Sequence, residues 1–141
     1  MATTETQYTS LDTAGRMHVV PVVPGASEVK AVRETISNTT TKATAATPAT
    51  GKKIRIISVI INYDSTTATS AEVYFDTGAN ISSDETKAIA EAFMVSPDVR
   101  QVSFTWPDGG GPIGAADDVL SVREGTGVVA TLSFVIHYRE E

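Results

Sequence analysis

Near the end of the chain every second residue is apolar. Over 128–138 these are Val128, Ala130, Leu132, Phe134, Ile136 and Tyr138, and the residues between them are mostly small or polar, as at Thr131, Ser133 and His137. A period of two marks a strand with one face on a core and the other in water. The segment therefore predicts a long half-buried strand with His137 on its wet side. Val102, Phe104 and Trp106 alternate with Gln101, Ser103 and Thr105 in the same way. So do Ala71, Val73 and Phe75 with Glu72, Tyr74 and Asp76.

The segment 53–63 (KIRIISVIINY) breaks this rule. A strict alternation puts Ile54, Ile56 and Ile60 on one face and Ile57, Val59, Ile61 and Tyr63 on the other. Apolar side chains on both faces predict a strand covered on both sides, at a sheet centre or a subunit contact. Weaker strand-like runs are 17–23, which Pro21 confines to an edge or a connection, 29–36, and 119–123. Residues 37–50 (SNTTTKATAATPAT) fit either a Thr-rich edge strand turning at Pro48 or a loop. In 83–95 the helix-tolerant Lys87, Ala88, Ala90, Glu91 and Ala92 compete with a strand. Ser83 lacks the acidic partner of a capping box, so a strand around 91–95 is expected.

Turn signals stand at 64–67, 77–80, 107–112 and 124–127. The last reads as a tight hairpin turn that joins 119–123 to the closing strand. About eight strands with turns every 8–12 residues or so predict a sandwich or barrel. The expected architecture is all-β: a jelly-roll-like antiparallel β-sandwich over residues 17–141, with an extended N-terminal arm over residues 1–16. The arm is polar, and Tyr8 and Leu11 are its sizeable apolar side chains.

Composition narrows the chemistry. The 141 residues suffice for one core without staples. With no cysteine, disulfides and thiolate metal sites are impossible. A net charge of −6 with scattered Lys and Arg argues against nucleic-acid binding, which needs clustered cations to neutralise phosphates. No apolar run approaches the roughly 18 residues of a membrane span, and the opening MATTETQYTS has no signal-peptide core. Neither a membrane location nor marking for secretion is expected. The 20 Thr and 12 Ser let hydroxyls, rather than charges, keep a β-surface soluble.

Candidate sites are few. His18 and His137 lie far apart, and neither has a carboxylate at the spacing of a triad or metal pair. The Gly-rich run 109–114 has neither a helix behind it nor a Lys to cradle phosphate, and Asp117 and Asp118 follow it, so a plain surface loop is expected. Asp108, Asp117 and Asp118 could converge on Ca²⁺, although their spacing matches no known calcium loop. Trp106, the single tryptophan, reads as a core residue at a strand end or as an interface anchor beside Pro107. No enzyme, metal or cofactor is expected.

Three stretches together, GKKIRIISVIIN, EVYFDTGAN and ADDVLSVREGTGVVATLSFVIHYRE, resemble small virion proteins of tailed bacteriophages. Those share a G-K-x-I-R-V strand, a V-x-F-x-x-G strand, a Gly-rich loop, D-x-L-x-V and a closing V-x-G-x-V-x-Y strand. The resemblance covers residues 51–138. It departs where the aromatic–Gly step before the Gly-rich loop is replaced by Phe104-Thr105-Trp106-Pro107. It implies a β-sandwich structural protein, most similar to a head decoration (cement) protein on the outer surface of the virion head. Such proteins sit as trimers on the lattice and clamp the major capsid protein, so the partners it implies are that protein and further copies of this chain. It also implies contacts through the arm (Tyr8, Leu11, Met17) and the loop at Trp106 and Pro107. The alternative is a tail or head-fibre module that recognises a host surface glycan.

Overall fold

The computed structural model describes residues 27–37, 41–75, 87–95, 98–107, 109–125 and 131–141, together with the backbone of 9–11 and 17–19. Ten strands are found among them. β1 (Thr9–Leu11) and β2 (Met17–Val19) pair with each other as a two-stranded antiparallel sheet. The other eight are β3 (Lys30–Ser37), β4 (Ala43–Ala46), β5 (Ile54–Tyr63), β6 (Thr69–Phe75), β7 (Ala88–Met94), β8 (Gln101–Thr105), β9 (Leu120–Glu124) and β10 (Thr131–Glu140). They form two four-stranded sheets, β3-β10-β5-β8 and β4-β9-β6-β7, antiparallel throughout.

Of the connections among these eight, only β6–β7 stays within one sheet; every other one crosses to the opposite sheet. This interleaved order is that of a jelly roll. The expected all-β jelly-roll sandwich is thus the fold. Its core lies between the sheets and is built from Ile36, Ile54, Ile56, Val59, Ile61 and Tyr63 with Leu132, Phe134 and Ile136 of the first sheet, against Ala71, Val73, Phe75, Met94, Leu120 and Val122 of the second.

The expected hairpin between 119–123 and the closing strand does not form. β9 lies in the second sheet and β10 in the first. Gly125 donates its amide to the Ser70 carbonyl at 2.8 Å, which carries the pairing of β9 with β6 one residue past Glu124. The closing strand follows its alternation: Leu132, Phe134, Ile136 and Tyr138 are buried. His137, expected in water, is half-buried. β10 is a central strand, and Ser58 Oγ on β5 lies 2.9 Å from His137 Nδ1.

The segment 53–63 is an inner strand of its sheet, between β10 and β8, as one reading of it expected, but its residues divide between the faces differently. In β10, His137 faces Ser58 while the next residue, Tyr138, faces Ile56, so Ile57 is an extra residue in β5. Such a β-bulge switches the parity of a strand. Ile54 and Ile56 before it, and Val59, Ile61 and Tyr63 after it, therefore all enter the same core. β5 has one core face, not two. β6, whose alternation suggested a half-buried strand, is covered on both sides. Tyr74 and Glu72 point away from the core yet are only 1% and 5% exposed. Arg123 on β9 donates Nε and Nη2 to the two Glu72 carboxylate oxygens at 3.1 and 3.2 Å.

Of the open segments, 37–50 contains the short strand β4, and the strand expected around 91–95 is β7, which begins earlier, at Ala88, and ends at Met94. The 64–67 turn is held by the Ser65 hydroxyl, which accepts the Thr67 amide at 3.1 Å. The turn at 77–80 lies outside the described residues.

The start of β3 and β5 and the end of β10 are tied by charge. Lys30 Nζ donates to Glu140 Oε1 at 2.6 Å, and Arg55 grips Glu141 through Nε and Nη2 at 2.6 and 3.0 Å. The Arg55 guanidinium holds the Glu141 carboxyl below its ordinary value of 4.5, and the Lys30 ammonium does the same for Glu140. Lys30 is raised in return by its bond to Glu140. A carboxyl lowered by folding contributes its stability above the unfolded value and loses it as pH falls through the folded one. Lys30 contributes its stability below the ordinary lysine value and loses it as pH rises through the raised folded one. The urea midpoint should therefore fall between about pH 5 and pH 3, with Glu141→Gln starting lower and falling less. A pH profile for Glu141→Gln that parallels the wild type would show that the Arg55 clamp does not carry this dependence.

Candidate functional site

The residues proposed for intermolecular contact occupy two places. Leu11 in β1 and Met17 in β2 are backbone partners in register; Tyr8 lies outside the described residues. Trp106 follows β8 directly, and its amide donates to the Ile57 carbonyl at 3.0 Å. The Trp106 ring stacks on Phe104, with centroids 6.2 Å apart and planes at 15°. Both rings are half-buried and pack on the rim of the core. Pro107 is exposed, and its carbonyl accepts the Gly110 amide at 2.8 Å, which closes the turn.

The Gly-rich run is not a plain surface loop. Beyond the point where β8 stops, residues 111–114 lie along β5 in its place. Ile56 donates to the Pro112 carbonyl at 2.9 Å, Gly114 donates to the Ile54 carbonyl at 3.0 Å, and Ile113 bridges Arg55. Arg55 Nη1 reaches the Gly109 and Gly111 carbonyls at 2.9 and 3.2 Å. Gly111 and Gly114 are buried. The run is a backbone-paired edge, which its glycines allow by close approach.

Each of the two described aspartates accepts a backbone amide. Asp117 accepts the Gly51 amide at 2.6 Å through Oδ1, and Asp118 accepts the Ala115 amide at 2.9 Å through Oδ2. Both act as turn caps; Asp108 lies outside the described residues, as does the His18 side chain. Among the described residues no group of three or more His, Asp or Glu is placed to hold a metal. The cleft between Phe75, Lys87, Ile113, Gly114, Ala115 and Asp118 holds about 160 Å³. That is below the roughly 300–1,000 Å³ of small-molecule sites.

The remaining candidate is a surface that strict alternation concealed. On the outer face of the first sheet the register aligns Arg33, Val135, Ile60 and Ser103 in one row across all four strands. The next row toward the end of β10 is Ala31, His137, Ser58 and Thr105. Arg33 Nε donates to Ser133 Oγ at 3.3 Å within this face. An extra residue in an otherwise alternating apolar run was the available signal for it.

Architecturally the chain belongs to the eight-stranded jelly rolls, a class that includes viral capsid and lectin domains. No protein-family model and no curated protein matches it. Among solved structures it is similar to a chain in the acid-stable capsid structure of Helicobacter pylori bacteriophage KHP30, with a TM-score of 0.51 and 10% identity over 81% of this chain and 89% of that one. A chain of the cyanophage Pam1 capsid asymmetric unit gives a TM-score of 0.49 and 12% identity, covering 92% and 97%. A chain of the extra small virus VLP of the prawn Macrobrachium rosenbergii gives 0.35 and 11%, covering 94% of each. At these identities the first likeness is one of fold.

Proposed function

We propose that the chain is a structural protein of a tailed-phage virion, and within that class a head decoration (cement) protein. In this reading it binds the lattice of the major capsid protein on the outside of the head, as a trimer. The observation that carries the reading is the interleaved jelly-roll order, with its likeness over most of both chains to a chain of a phage capsid structure. The sequence resemblance over 51–138 points the same way. The mechanism is binding energy alone: contacts made only by the assembled shell, repeated by symmetry, stabilise it by mass action. Residues 1–16 act as the arm, and Tyr8, Leu11, Met17, Trp106 and Pro107 supply contacts to the shell or to neighbouring copies.

Immunogold labelling of purified virions tests this. Gold at high copy over the whole head is expected. Gold confined to the tail or one vertex would favour a glycan-binding module, and its absence from the particle would end the virion reading. Deletion of residues 1–16 should weaken binding to shells by about tenfold or more, a loss of at least 1.4 kcal/mol, without lowering the melting temperature of the sandwich. Undiminished binding would remove the arm from the mechanism.

A further inference from the structure

The outer face of the first sheet has a composition that the core does not require. Ile60 and Val135 are cross-strand partners at its centre, and the bulge adds Ile57 beside them. All three are half-buried, and none belongs to the core cluster. Around them stand Arg33, Arg55 and Arg139. Among the described strand residues on this face there is no Asp or Glu; the carboxylate at its border, Glu141, is held by Arg55. In a chain of net charge −6, carboxylates have been kept off this one sheet face.

We propose that this face is a docking surface for an acidic protein surface, and that its occupant is the shell protein; the identity of the occupant rests on the decoration reading above. An apolar centre ringed by arginines is the make-up of interfaces, where Arg is enriched and Lys and carboxylates are depleted. Charge complementarity selects the partner. A second copy laid face to face would set arginine against arginine, because a twofold contact opposes each patch to itself.

The test adds carboxylates at two exposed positions of the face, Thr35→Glu and Ser103→Glu, singly and together. Thr44→Glu, exposed on the second sheet, is the control. Full-length protein is titrated onto purified shells stripped of it, and in parallel is run on a carboxymethyl matrix near neutral pH. The double variant should bind shells about tenfold or more weakly, and wild-type affinity should fall as salt rises from about 50 to about 300 mM. Thr44→Glu should match wild type, and unchanged melting curves show that the variants fold. Equal shell binding by the double variant overturns the proposal. So does a change in sedimentation mass with shell binding intact, which would make the face a contact between copies. If wild type does not bind shells, the decoration reading fails and the matrix decides the face: later elution of wild type than of the double variant sustains recognition of acidic surfaces, and equal elution overturns it.

Discussion

Phe134→Ala will lower the unfolding free energy by about 3–5 kcal/mol, the cost of removing an aromatic ring from a closed core. Phe134 is 0% exposed and lies at the middle of β10, with Glu34 of β3 on one side and Ile61 of β5 on the other. Both neighbouring strands hold β10 in register, so the backbone cannot collapse into the space the ring leaves. The lost transfer energy and the cavity term therefore add. Domains are stable by about 5–15 kcal/mol, so the variant should lose a large fraction of its stability. Its urea midpoint should shift while its denaturant slope stays that of wild type. Phe93→Ala is the control: Phe93 is 67% exposed on the edge strand β7, and its loss should cost under about 0.5 kcal/mol. Equal costs at the two positions would mean that the two sheets do not enclose Phe134 as described.

Gly111→Ala will cost about 3 kcal/mol or more, combining overpacking with lost backbone hydrogen bonds. A Cβ at this position would stand 1.8 Å from the Ile56 carbonyl oxygen, and that neighbour is backbone, which cannot swing aside. Relief requires lifting residues 111–114 off β5. The Ile56–Pro112 and Gly114–Ile54 hydrogen bonds would be lost, together with the hold of Arg55 on the loop. Gly109→Ala separates this from ordinary glycine strain. Gly109 has φ +78° and nothing within 4 Å of its Cβ direction, so alanine there meets only the left-handed penalty of about 1–2 kcal/mol. Denaturation curves that rank Gly109→Ala with or above Gly111→Ala would show that the loop is not docked along β5.

What the sequence disclosed depended on parity. Wherever apolar residues kept strict alternation, as in 132–138, the strand and its buried face could be read directly. In 53–63 the extra Ile57 broke the count, so five residues of one face were divided between two. A bulge depends on the partner strand and leaves no local mark except the excess residue. The opposite error at β6 has a different cause. The polar Glu72 and the phenol of Tyr74 suggest a wet face, but Glu72 is buried against Arg123, fifty-one positions away in the chain. The hairpin expected at 124–127 failed because Gly-rich turn residues permit a sharp change of direction without fixing which sheet the next strand joins. The candidate contact residues Trp106 and Pro107 were visible as single residues. The outer face of the first sheet was not, because its members come from four strands and meet only in register.

The position of β10 has a consequence for synthesis. The centre of the first sheet is the last of the ten strands to leave the ribosome. Until residues 131–140 emerge, β3 and β5 each lack the neighbour that separates them, and each presents an unpaired strand edge. The two halves of that sheet are joined by the last of the described strands to be translated, so a nascent chain cannot close it early by local pairing. Closure of this sheet is thereby deferred until β10 has emerged and runs through contacts distant in sequence, the slow regime for β-topologies. During that interval the open edges of β3 and β5 are the places where aggregation or capture by a chaperone would begin.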